Sequence, residues 1–247
     1  GELFPTGAGV TITPKTPLHF VPEEYGLSSA HLKRIDSIAL DGIHQGAYPG
    51  CQVVVLKNGH IMFDKAFGTY TGKGSPRVES TNIYDLASLS KTTGTLLAIM
   101  KLYDKGRFNL TDKISDHLPF LQRTDKKDIT IQEILYHQSG LPSWIPFYQE
   151  AIDKDSYDGR LFSARKDVHH PVQIGTTTWA NPKFKFKSEY ISPVKTGDYT
   201  VQICDSLWLN RSFRKVIEEK IAEAPLKQKR YVYSDVGFIL LGMLVEQ

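Results

Sequence analysis

The sequence predicts an α+β fold on three observations. An apolar stripe at helical spacing (Leu32, Ile35, Ala39, Ile43) comes first, two β-prone runs flank Asn58-Gly59, and helical apolar runs recur from residue 88 onward. A helix followed by a hairpin and then by further helices is the element order of a mixed, layered domain. At 247 residues the chain is long enough for one large or two small domains with a proper core.

Residues 1–24 are rich in Gly, Pro and Thr, lack helical periodicity, and read as a linker or extended arm preceding a domain over 25–247. Ser28 or Ser29 is placed to cap one amphipathic helix that stops at Gly46. "CQVVVLK" and "HIMFDKAFG" then form a hairpin, because Asn-Gly supplies the two left-handed residues of a type I′ turn. Residues 88–105 are expected as a helix ended by Gly106. "DITIQEILYHQSGLP" opens with Thr130 and Glu133 at capping-box spacing and halts at Gly140 and Pro142. The stretch from about 145 to 200 has no sustained period and reads as a long irregular insertion, a type of segment that often serves as a lid. Helical spacing returns over 206–223, and "YVYSDVGFILLGMLVEQ" starts a last helix whose apolar end implies a truncated or cleaved chain.

Composition excludes several classes. A formal net charge of +3 with lysines scattered among acids gives no nucleic-acid footprint. No run of eighteen apolar residues spans a membrane. Gly1 with a polar start is no signal peptide, and both a cloning remnant and a cleaved export signal fit it. Cys51 and Cys204 match no zinc motif and read as core or incidental thiols, with a single disulfide between them left open.

Ser-x-x-Lys occurs at Ser88/Lys91, Ser163/Lys166, Ser192/Lys195 and Ser212/Lys215, so the spacing alone decides nothing. The chemistry needs a serine at the start of a rigid helix with the lysine one turn later on the same face, and only Ser88 fits. The apolar approach "IYDLA" is expected to bury the site and lower the pKa of Lys91, leaving it able to take the serine proton. A capping serine beside a solvated lysine is the competing reading. In "YVYSDVG", Tyr233 and Asp235 flank one residue, so an extended backbone points both side chains the same way. A phenol whose pKa a nearby ammonium lowers can relay a proton. The pair His169-His170 with Asp167 reads as solvated loop residues, with a metallohydrolase as the rival. "GTYTGKGS" has one residue too few for a phosphate-binding loop.

Taken together, "IYDLASLSKTTGTLLAIMKLYDKGRFNLTDKISDHLP", "ITIQEILYHQSGLP" and "YVYSDVGFILLGMLVE" resemble the serine β-lactamase and penicillin-binding-protein family, in its class C and esterase branch. The resemblance covers about residues 23–145 and 200–247. It implies a helical subdomain packed on an antiparallel sheet, with Ser88 as nucleophile, Lys91 as its partner, Tyr233 as acid/base and Asp235 where the family has an asparagine. It further implies acyl-enzyme hydrolysis of an amide, β-lactam or ester (β-lactamase, D-Ala peptidase or esterase type) with no cofactor or metal, and action outside the cytoplasm in cell-wall metabolism. The turn "HQSGL" is similar to a structural turn of the family, which gives His137 a packing or hydrogen-bonding role.

Two departures follow. A carboxylate at Asp235 is expected to hold Lys91 charged, shifting the base role to Tyr233. "KTG" at 195–197 precedes Tyr233 and lies in the insertion, so it reads as coincidence, and the family's third motif, with its oxyanion N–H, is expected beyond Gln247. A sheet cut short there is expected to leave an edge open to dimerisation. The opening "FPTGAGVTITPKTP" is similar to the tail after family 3 glycosidase domains, which implies a fused N-acetylglucosaminidase. The rival from another class is a non-catalytic binding or scaffolding module of a larger glycosidase.

Overall fold

The computed structural model describes residues 20–247, which form two compact units, one up to Asp85 and one from Leu86 to Gln247. The arm expected over residues 1–24 lies mostly outside the described residues. Its end is no extended strand, since Pro22–Tyr25 form a 3-10 turn closed by Gly26 at φ 69°.

In the first unit Ser28 caps the helix as expected, its Oγ accepting the His31 N–H at 3.3 Å. The single expected helix is instead two, α1 (Ser29–Leu32) and α2 (Arg34–His44). At Lys33 ψ is −21°, and the Asp36 N–H bonds the Lys33 carbonyl, an i→i+3 closure that tightens the join. Strands β1 (Gly50–Lys57) and β2 (His60–Gly68) pair antiparallel, with Lys57 opposite His60. Asn58 and Gly59 both have positive φ (53° and 78°), the geometry of the primed turn. Ala39 of α2, Phe63 and Phe67 of β2 bury one another, with Leu32, Ile35 and Ile43 around them.

The second unit is built round α3 (Leu96–Asp104), α4 (Ile114–His117), α5 (Ile131–Leu135), α6 (Phe213–Glu223) and α7 (Asp235–Val245). Ile99, Ile114, Leu118, Leu121, Ile131, Ile134, Ile221, Val236 and Leu240 are all at most 2 % exposed and form its core. The expected capping box is present: Thr130 Oγ1 accepts the Glu133 N–H at 3.2 Å and Glu133 Oε2 accepts the Thr130 N–H at 3.0 Å. Ser234 caps α7 by accepting the Gly237 N–H at 3.1 Å while donating to the Pro142 carbonyl at 2.7 Å.

Two expectations are corrected here. The stretch 145–200 is not irregular throughout: between turns and bends, β3 (Ile152–Asp153) pairs with β7 (Lys185–Phe186), and β6 (Thr178–Ala180) lies between β4 (Phe162–Ser163) and β5 (Val172–Gly175). Strands this short show no period a sequence reading can detect. Nor is 206–223 one helix. Ser206 takes φ 64° and turns β10 (Leu207–Asn210) back on β9 (Tyr199–Cys204), with β8 (Ile191–Ser192) on the other side of β10; only then does α6 begin. Cys51 and Cys204 are free thiols. No helix among the described residues is long and apolar enough to cross a membrane.

Candidate active site

The segment 88–105 is helical with an interruption. Residues 89–90 begin it, Lys91–Thr95 form a π-helical turn, and α3 follows until Gly106 at φ 64°. Wide turns of this kind are frequent at functional sites. Lys91 stands one turn after Ser88 and donates from Nζ to Ser88 Oγ at 3.3 Å. Before the serine, Ala87 has φ 44°, a left-handed conformation that costs a residue with a Cβ.

The second contribution comes from the run into α7. Ser234 is extended (φ −134°, ψ 118°), so Tyr233 and Asp235 project to one side, as their spacing predicts. The Tyr233 hydroxyl donates to Ser88 Oγ at 2.8 Å, and Asp235 Oδ1 lies 2.6 Å from Lys91 Nζ. That oxygen is buried and has no further hydrogen bond among the described residues. The Asp235 N–H donates to the Ser143 carbonyl at 2.7 Å, anchoring the helix start. The structure therefore brings all four residues singled out by the sequence into one cluster. The other three Ser-x-x-Lys pairs have no such surroundings: Ser163 ends β4, Ser192 ends β8 and Ser212 precedes α6.

Charge states follow from the geometry. Burial pushes the Lys91 ammonium toward neutrality, but the hydrogen bonds and charges of Asp235 and Tyr233 outweigh it and raise the pKa. The expected lowering of Lys91 is thus overturned, and the departure at Asp235 is its cause. The Tyr233 phenol is held below its ordinary value, first by the hydrogen bond to Lys91 and then by that to Ser88, against burial and the charge of Asp235. Lys91 Nζ also sits 5.1 Å from the Tyr233 ring centroid.

The expected burial of the approach is absent: Ile83 is 97 % exposed and Leu86 51 %. Ser88 itself is exposed. The "KTG" of 195–197 lies in a tight turn, with Gly197 at φ 51° and Thr196 bridged to Tyr199, and not on a core strand.

His169 is exposed as expected, whereas His170 is 7 % exposed and not solvated. Its Nδ1 faces Asp167 Oδ1 at 2.8 Å and its Nε2 the Arg160 carbonyl at 2.7 Å. Two acceptors suit the imidazolium, and its pKa is raised by the carbonyl first and then by Asp167. Among the described residues no group of three His, Cys, Asp or Glu could hold a metal ion.

Neither the strain at Ala87 nor the π-helical turn left a sequence signal. His137 was marked by the turn "HQSGL", but its contacts with residues 231–234 depend on the fold.

Comparison with known proteins bears on the family and the fold. A family model described as Beta-lactamase matches residues 35–247. Protein flp of Staphylococcus aureus (strain MRSA252) is 31% identical over 188 residues, covering 74% of this chain and 37% of that protein. The N-acetylmuramyl-L-alanine amidase of Bacillus subtilis (strain 168) is 27% identical over 262 residues, covering 100% of this chain and 46% of the amidase. Among solved structures, a class C beta lactamase shares the fold with TM-score 0.54 and 17% identity over 88% of this chain and 44% of its own. The octameric penicillin-binding protein homologue from Pyrococcus abyssi does so with TM-score 0.53 and 20% identity over 87% of this chain and 38% of its own. The chain spans less than half the length of these curated relatives.

Proposed function

We propose, from the premise that this chain belongs to the β-lactamase family, that it is a serine acyl hydrolase with Ser88 as nucleophile. One observation carries the reading: Ser88 Oγ receives both the Tyr233 hydroxyl at 2.8 Å and Lys91 Nζ at 3.3 Å, at the start of a helical segment. Ser88 Oγ attacks a carbonyl carbon, forming the ester bond of an acyl-enzyme as the C–N or C–O bond to the leaving group breaks. The serine proton passes to the Tyr233 phenolate, whose formation the adjacent Lys91 ammonium favours, and from the phenol to the leaving group. Water then attacks the acyl carbon with Tyr233 again as base, the ester C–O bond to Ser88 breaks, and the phenol returns the proton to Ser88 Oγ. Lys91, held charged by Asp235, acts electrostatically and not as the base.

The substrate class is an amide, β-lactam or ester. The amidase among the relatives favours an amide of the cell wall, and with it action outside the cytoplasm. Intact mass after incubation with a penicillin, and separately with an activated ester, tests the reading. One acyl adduct on the wild type that is absent from Ser88→Ala is the expected result; no adduct from either reagent defeats it. Tyr233→Phe keeps the ring and is expected to slow adduct formation about 10²–10⁴-fold.

The second reading is a binding module without catalysis. Asp235, standing where the resemblance implies an asparagine, favours it as a departure from the family's pattern. Its signature is saturable, non-covalent binding of the same reagents.

A further inference from the structure

We propose that His137 is a positioning residue, clamping the stretch Val232–Ser234 so that Tyr233 stays on Ser88 and Asp235 on Lys91. The inference rests on the acyl-transfer reading only for what that placement accomplishes. His137 lies just beyond α5, at φ 54°, and meets the stretch through two atoms. Its carbonyl accepts the Val232 N–H at 2.8 Å, and its ring Nδ1 accepts the Ser234 N–H at 3.1 Å. These are the residues on either side of Tyr233, so the clamp fixes the backbone from which the phenol projects.

The ring is held in turn. It lies 4.8 Å from the Tyr233 ring, 5.4 Å from Phe238 and 6.2 Å from Tyr231, centroid to centroid. Nδ1 can accept only when it carries no proton, so the clamp requires the neutral Nε2–H tautomer. Protonation would set two donors against each other. The surroundings resist it: burial lowers the pKa of His137, the Lys91 ammonium lowers it further, and Asp235 opposes with a smaller effect. Among the described residues the phenols of Tyr231 and Tyr233 also face the ring. Because the folded pKa is depressed, the clamp is fully present above the ordinary histidine pKa. It is lost as pH falls through the folded one.

Two substitutions separate the clamp from mere ring packing. In His137→Asn the amide oxygen stands close to the place of Nδ1, and asparagine tolerates the left-handed backbone. In His137→Gln the acceptor moves out to the place of Nε2, and the Ser234 N–H loses its partner.

The readouts are the Tyr233 phenol titration, followed by ¹³Cζ-tyrosine NMR and assigned with Tyr233→Phe, and exchange protection of the Ser234 amide. Expected are a Tyr233 titration below that of an ordinary tyrosine in the wild type and in His137→Asn. His137→Gln should return it toward the ordinary value and exchange its Ser234 amide about tenfold faster. In the wild type, protection at Ser234 should fall in step with protonation of His137, a test that needs no variant to fold. Gln behaving as wild type, Asn failing along with Gln, or Ser234 protection indifferent to His137 protonation would each overturn the inference. Absence of a Ser88 adduct in the wild type would defeat the hydrolase reading and leave these titrations as they are.

Discussion

Ala87 and Asp235 determine how the cluster works. Ala87, at φ 44°, just before Ser88, holds a conformation costing about 1–2 kcal/mol for a residue with a Cβ. Ala87→Gly removes that cost while loosening the unfolded chain, so a net stabilisation of up to about 1 kcal/mol is expected in urea unfolding. Asp235 raises the pKa of Lys91 and also opposes the lowering of that of Tyr233. In Asp235→Asn both pKa values fall. Activity needs the phenolate, present above the Tyr233 pKa, and the ammonium, present below the Lys91 pKa, so both limbs of the pH–rate profile should move to lower pH. A profile that stays in place would show that Asp235 is not coupled to the reacting groups. Ser88, Lys91, Tyr233 and Asp235 were legible through the resemblance of the runs around them to the family, since the i,i+3 and i,i+2 spacings place side chains on shared faces but single out no pair by themselves. The charge state of Lys91 was legible only in part. The effect of a carboxylate was foreseeable, but its 2.6 Å approach and the open surroundings of Ser88 depend on residues far apart in the chain.

The site is held together by turns between elements. Gly140, after α5, has φ 79°, and a Cβ there would stand 2.3 Å from the Lys227 carbonyl oxygen, while its own carbonyl accepts the Lys227 N–H at 2.9 Å. Gly140→Ala meets both backbone strain and a clash with main chain, so a loss of about 2 kcal/mol or more is expected in chemical unfolding. Thr130→Ala removes the capping-box acceptor of α5 and should cost about 1 kcal/mol by the same measurement. Such end signals made α5, the start of α1 and the β1–β2 turn readable, since each rests on local hydrogen bonding or a required left-handed residue. The strands of 145–200 were unreadable for the opposite reason. At two to four residues each, they owe their pairing to partners up to some thirty positions away and not to any local pattern. The π-helical turn at Lys91–Thr95 likewise follows from what flanks it, since "KTTGT" carries no mark distinguishing it from an ordinary turn.

Across the second unit the acid–base balance of stability has a definite sign. Asp125 is held below its ordinary pKa, first by the hydrogen bond to Lys126, and Asp128 likewise by Lys113. Glu133 is raised by burial but lowered more by Lys229 and Thr130. Each contributes stability that is present above its unfolded pKa and lost as pH falls through the folded one. His170 runs the other way: its folded pKa is raised, so its contribution is complete below the unfolded value and lost as pH rises through the folded value. Asp125 matters most structurally, because Lys126 is fully buried and the partners of its Nζ among the described residues are Asp125 Oδ1 at 2.6 Å and the Ala222 carbonyl at 3.1 Å. Asp125 Oδ2 also accepts the Leu226 N–H at 2.9 Å, tying the end of α6 to the run toward Tyr233. Asp125→Asn leaves a buried ammonium without its counter-ion, and although Asp125 is itself half-exposed, a loss of about 1–3 kcal/mol at neutral pH is expected. The diagnostic quantity is the slope of Tm with pH. In the wild type Tm should fall from about pH 5 to about pH 3 as these carboxylates take up protons. In Asp125→Asn that slope should be shallower, since one proton-linked contribution is already gone. A variant that starts lower yet falls as steeply as the wild type would show that Asp125 acts through packing and not through its charge.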